Sequence, residues 1–264
     1  MPDVLHTLLG LCSGGIIGFT LGLVGGGGSI LAVPLLLYVV GIADPHRAIG
    51  TSALAVTINA LFSLASHARS GHVAWKCAAL FASAGIFGAL AGAACGKVVN
   101  GQRLLFLFAF VMIAVGALMM RGCRQPRPAQ PQQAAMRTAP LPIVAYGVAT
   151  GFCSGFFGIG GGFLIVPALL AATGMPMLGA IATSLVAVCA FGLTTSISYA
   201  VAGMVDLPMV GILVAGGVAG SAGGTLLARR LGQHPQRLRM IFACLVFLVA
   251  FYMMWRSARA MGLA

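Results

Sequence analysis

Two glycine clusters carry the residue pattern best suited to chemistry. Gly25-Gly26-Gly27-Gly28-Ser29 and Gly158-Ile159-Gly160-Gly161-Gly162 each lead into a short apolar run, Ile30 to Val40 and Phe163 to Ala172. The first amides of a helix lack internal partners, and the helix dipole adds roughly half a positive charge there. Glycine removes the side chains that would hold an anion away from those amides. Two such helix starts meeting inside a bilayer would make an anion site without a buried cation. Close helix packing or a hinge is the competing use of the same glycines. A P-loop or dinucleotide site is excluded, because no GxxxxGK[ST] occurs and no strand pattern precedes the glycines.

A second constellation is Thr51-Ser52 with Thr183-Ser184, each opening a long segment after a short joint. Such hydroxyls cap a helix or donate to an oxyanion. Thr51, Asn59, Ser63 and Ser66 are spaced near multiples of a helical turn, and Thr194, Thr195 and Ser198 continue the polar pattern in the second half. In lipid such a face should look inward. The ionisable residues Asp44, His46, Arg47, His67, Arg69 and His72 fall at segment ends, where snorkelling to the interface is the simplest role. Among them Arg47 is placed to attract an anion. His67 and its counterpart Tyr199 are placed to gate two mouths.

Enzyme chemistry finds no support. No nucleophile–base pair, carboxylate pair or metal cluster lies in the apolar segments, and no cofactor or metal is expected. The seven cysteines show no CxxC pair and read as small buried hydrophobes. No Asp or Glu lies within an apolar run, which argues against proton coupling through a carboxylate, though a histidine could serve.

The elements that position these residues must be membrane helices. Of 264 residues, 60% are hydrophobic and 7% charged, too few charges to cover a water-facing surface. The 15 Lys and Arg lie in short clusters between apolar runs, unlike a nucleic-acid binder. Apolar periodicity predicts helices at 5–24, 30–40, 48–65, 77–95, 104–120, 141–157, 163–172, 179–199, 208–227 and 239–255. Most reach the ~17–25 residues that span a bilayer. The segments at 30–40 and 163–172 cross only half of it, as broken or re-entrant elements do. The first segment has no basic start and no A-x-A cleavage site, so it is expected to stay in the mature protein.

The chain repeats itself. Gly18 to Pro34 aligns with Gly151 to Pro167 at a constant offset of 133, with nine of 17 positions identical. After one deletion, Ala48 to Ser52 matches Ala180 to Ser184, and Gly71 matches Gly203. The expected organisation is a first membrane repeat over 1–120, an Arg- and Pro-rich cytoplasmic linker over 121–140, and a second repeat over 141–264. The linker, with Arg121, Arg124, Arg127 and Arg137, sets the cytoplasmic side. Joints 66–76 and 200–207, equivalent in the repeat, then fall on opposite faces. The expected fold is therefore all-α, with about 8–10 membrane segments in two inverted-topology repeats, and both termini periplasmic. Lys97, Arg103, Arg256 and Arg259 fall on the outer side against the charge rule. Small-xxx-small patterns such as Gly88 to Gly92 pack within one chain or between copies, leaving a homodimer open.

The glycine turns leading to Val-Pro at Gly18–Pro34 and Gly151–Pro167, with Gly-Thr-Ser at 50–52 and Ala-Thr-Ser at 182–184, resemble the TauE/SafE family. These are the sulfite and organosulfonate exporters also called TSUP transporters. The resemblance covers nearly the whole chain. It implies a bacterial inner-membrane permease for small sulfur anions such as sulfite or sulfoacetate, with the site between two related halves. Ile159, where the first cluster has Gly26, makes those halves unequal. The site residues expected are Gly25, Gly26, Gly27, Gly28, Ser29, Thr51, Ser52 and Asn59 from the first half. Gly158, Gly160, Gly161, Gly162, Thr183 and Ser184 are their second-half complement. An anion channel and an importer of a related anion are the alternatives.

Overall fold

A computed structural model describes residues 4–69, 71–123, 140–158, 162–231 and 235–260. Among these, the regular elements are helices and no strand occurs. In the first half, α1 is Val4–Val24. A 3-10 segment, Gly25–Leu31, follows and leads into the short α2, Ala32–Leu35, and a π turn, Leu36–Val40. Then come α3 (Pro45–Ala68), α4 (Trp75–Val98) and α5 (Gly101–Cys123). The second half holds α6 (Pro140–Phe157), α7 (Gly162–Thr173), α8 (Met177–Val201), α9 (Leu207–Leu231) and α10 (Pro235–Ala260). All ten expected segments are present, most of them longer at their ends than the apolar run. The caps explain part of this. The Asp44 carboxylate accepts from the His46 amide with Pro45 at the first helical position, so α3 starts three residues early.

Among the described residues, six helices are long and apolar enough to cross a bilayer: α1, α3, α4, α6, α8 and residues 207–228 of α9. Shorter apolar stretches lie at Ser29–Val40, Gly101–Ala117, Gly162–Thr173 and Val246–Trp255. The surface is that of a protein solvated by lipid. Phe87, Phe110, Leu193, Ile197, Leu248 and Phe251 are exposed, while Ser29, Thr51, Ser52, Asn59, Thr183 and Ser184 are buried. Asp44 and Asp206 lie outside the spans, each accepting from an amide at the start of its following helix.

The repeat is visible in the backbone. All glycines with positive φ among the described residues form equivalent pairs: Gly25 and Gly158 (66° and 65°), Gly41 and Gly174 (87° and 68°), Gly71 and Gly203 (70° and 71°). These left-handed turns are open to glycine at little cost. The halves interlock by exchanging contacts. In one seam Gly14, Gly18 and Gly22 of α1 press against the backbone of Leu213, Gly217 and Ser221 of α9. In the other, the equivalent Gly147, Gly151 and Gly155 of α6 press against Phe81, Gly85 and Ala89 of α4. A Cβ at any of the first three would overlap backbone, so these glycines let parallel helices touch. Gly88 and Gly92 belong to the second seam, packing on Val148 and Phe152 of the same chain. Much of the glycine excess is therefore structural.

The central pair, α3 and α8, runs antiparallel. Thr51, near the start of α3, accepts the Asp206 amide from beyond the end of α8 at 3.0 Å. Thr183, near the start of α8, accepts the Ala74 amide from beyond the end of α3 at 3.1 Å. Joints 69–74 and 202–206 thus lie at opposite ends of the bundle.

Candidate functional site

The two glycine breaks meet. A Cβ on Gly26 would sit 2.6 Å from Gly162 Cα, 2.7 Å from Gly162 O and 2.7 Å from Val188 Cγ2, at the middle of α8. From this contact the short helices diverge. Gly162–Thr173, with 12 residues, runs toward the start of α8. Ser29–Val40, of equal length, runs toward the start of α3. Each rises about 18 Å. Their N-termini, the positive ends of their dipoles, are together in the interior. Gly27 and Gly28 lie in the 3-10 segment between these ends. Ile159, Gly160 and Gly161 lie outside the described residues.

Backbone groups engage the hydroxyls expected here. Ser29 Oγ donates to Gly26 O at 2.9 Å, and Ser52 Oγ to Ile49 O at 2.9 Å. Ser184 Oγ donates to Ile181 O at 2.7 Å and accepts from the Gly26 amide at 3.2 Å. Thr51 and Thr183 hold the two joints, as above. The five hydroxyls therefore shape the breaks and fix the loops. Gly25 packs on Ile181 and Ser184, and the equivalent Gly158 packs on Ile49 and Tyr199.

Several of the buried polar side chains without a hydrogen bond lie on two equivalent helix faces. Asn59 and Ser63 line α3 together with His67, and Thr195 and Tyr199 line α8 together with Phe191, all fully buried. Spacing of four residues puts each set on one helix face. Both amide atoms of Asn59, Ser63 Oγ, Thr195 Oγ1 and the Tyr199 hydroxyl are buried without a hydrogen bond. Asn59 lies against Gly217, and Phe191 lies against the equivalent Gly85. The first stripe ends on His67, which is buried, rather than on the half-buried Ser66.

Two expectations for side chains need correction. His67 does not snorkel: it is 1% exposed, with Nε2 3.4 Å from Gly22 O. Tyr199 is equally buried. The cysteines are not uniformly buried either: Cys77 is, whereas Cys12, Cys95 and Cys244 face outward, as apolar side chains can in lipid. Arg47 is exposed at the start of α3. Among the described residues no group of His, Cys, Asp or Glu could hold a metal.

Lys97 was legible in the sequence only as a misplaced charge. Its Nζ donates to Ser198 O at 2.8 Å and lies 5.5 Å from the Tyr199 ring centroid. The repeat carries a signal for it, because the equivalent position holds Arg229.

The family model for the sulfite exporter TauE/SafE matches residues 10–253. A probable membrane transporter of Xylella fastidiosa (strain 9a5c) is 50% identical over 93% of this chain and 94% of its own. The probable membrane transporter YunE of Bacillus subtilis is 28% identical over 94% of this chain and 96% of its own. A probable membrane transporter of Methanocaldococcus jannaschii is 27% identical over 90% of this chain and 93% of its own. No solved structure matches significantly.

Proposed function

Because the chain belongs to the sulfite exporter TauE/SafE family, and so to a family of multi-pass membrane transporters, we propose that it is a secondary carrier exporting small sulfur-containing anions. Sulfite, sulfoacetate and related organosulfonates are the substrate class. The observation that carries this reading is the Gly26–Gly162 contact, where two short helices bring their N-termini together. Inside a bilayer, oriented amides and helix dipoles stabilise an oxyanion at no cost of a buried cation. The anion binds around Gly25–Gly28 and the Gly158–Gly162 break, with Ser29, Ser52 and Ser184 holding the turns in shape.

The two halves act as inverted repeats in the inner membrane of a bacterium, with the Arg-rich linker in the cytoplasm and both termini periplasmic. Support comes from the antiparallel run of α3 and α8 and from the paired glycine turns. One repeat rocks against the other to alternate access. The α1–α9 and α4–α6 seams each join one half to the other, so such a motion must slide or open at them. The membrane potential drives an anion out of a negative-inside cell with about 2.3 kcal/mol per charge per 100 mV.

Liposomes containing the purified protein test this. Labelled sulfite or sulfoacetate should enter saturably and show counterflow against unlabelled anion inside. Saturable flux without counterflow would indicate a channel. Flux of no small sulfur anion would overturn the reading.

A further inference from the structure

We infer that Tyr199, Lys97 and His46 form a one-sided anion subsite where α3 begins and α8 ends. It takes the outer oxygens of a small sulfonate or sulfite ion. The inference rests on the carrier reading and names a contact that sets its specificity.

The Tyr199 hydroxyl is fully buried, has no protein partner and would lie 3.7 Å from a Cβ on Gly158, at the second glycine break. Nδ1 of His46, whose ring stacks on Tyr199 with centroids 6.5 Å apart, is also buried and unpartnered. A buried polar atom without a partner is costly and calls for a ligand or water. Lys97 Nζ spends one N–H on Ser198 O, a terminal carbonyl of α8, and keeps two donors beside the Tyr199 ring. Two acids lie nearby, each bonded to a backbone amide. Asp44 accepts the His46 amide and Asp206 accepts the Met209 amide.

The set offers a phenol O–H, an ammonium and an imidazole able to present an N–H at Nδ1. Sulfonate and sulfite oxygens are acceptors, so donors gathered around Tyr199, whose hydroxyl reaches a glycine break, suit them. The other end of the bundle differs. There the position of Tyr199 is filled by His67, which is already within 3.4 Å of Gly22 O. A phenol donor at one end alone gives the two faces unequal affinity.

The test uses liposome flux with two probes, sulfoacetate with two charges and methanesulfonate with one. Tyr199→Phe deletes only an unpartnered hydroxyl, so its melting temperature should match or exceed wild type. Its KM should rise about tenfold or more for both probes, the scale of a lost hydrogen bond to a charged group. Lys97→Gln should raise KM several-fold more for sulfoacetate than for methanesulfonate, and Lys97→Arg should restore the preference. Wild-type KM in both Tyr199→Phe and Lys97→Gln would overturn the subsite while wild-type flux leaves the carrier reading standing. An equal rise for both probes in Lys97→Gln would reduce Lys97 to a helix cap and remove it from the subsite. No wild-type flux of either probe would overturn both the carrier reading and the subsite.

Discussion

The amide of Gly26 donates to Ser184 Oγ at 3.2 Å, joining the first glycine break to the opposite half of the chain. Ser184 in turn donates to Ile181 O, so one hydroxyl fixes both the break and the first turns of α8. Any movement of one repeat against the other must keep this link or break it. Ser184→Ala leaves a buried amide unpaired, at a cost of about 1–3 kcal/mol. A lower melting temperature in detergent and slower transport are expected. Wild-type values of both would show that the link carries no weight.

Thr51 and Thr183 do the same work at opposite ends, each accepting a loop amide from the other half. Thr51→Val and Thr183→Val should each cost about 1 kcal/mol. The sites share no partner, so the double variant should show close to the sum. Thermal unfolding measures this. A strongly non-additive double variant would mean that the two joints are coupled.

Gly18 and Gly151 hold equivalent places in the two seams, where a Cβ would overlap the backbone of Gly217 and Gly85. Gly18→Leu and Gly151→Leu should each destabilise by at least about 1–3 kcal/mol, the usual cost of overpacking. Yield of monodisperse protein after detergent extraction should fall for both. Gly211→Ala is the control, because nothing lies within 4 Å of a Cβ there. Normal yield of both leucine variants would contradict the seams.

Asn59 separates stability from function. Both of its amide atoms are buried and unpartnered. Asn59→Leu, similar in volume, should unfold no earlier than wild type, since an unpaired amide leaves the interior. If the amide meets water or substrate during transport, flux should fall. Unchanged flux would assign Asn59 to packing against Gly217 alone.

The helices and the short apolar elements were readable because lipid requires backbone groups to be satisfied within the chain, and without a strand pattern that leaves helices, so apolar length reports them directly. Gly25 and Gly158 could be matched by spacing, and both take the left-handed turn. Other features needed three dimensions. The cluster Gly10, Gly14, Gly18 and Gly22 shows four-residue spacing, but only the structure shows α9 as its partner. The hydroxyls of Ser29, Ser52 and Ser184 looked like ligands, and instead they bond to local carbonyls that sequence cannot rank against a substrate. Lys97 read as a topological exception because its approach to Tyr199 depends on how α4 packs on α8.

The central claim is that the anion binds where Gly26 meets Gly162. A structure of the protein with sulfite or sulfoacetate bound tests it most directly. The account predicts the anion within hydrogen-bonding distance of the amides of the two glycine breaks, between the starts of the short helices. An anion bound away from the amides of both breaks would contradict it.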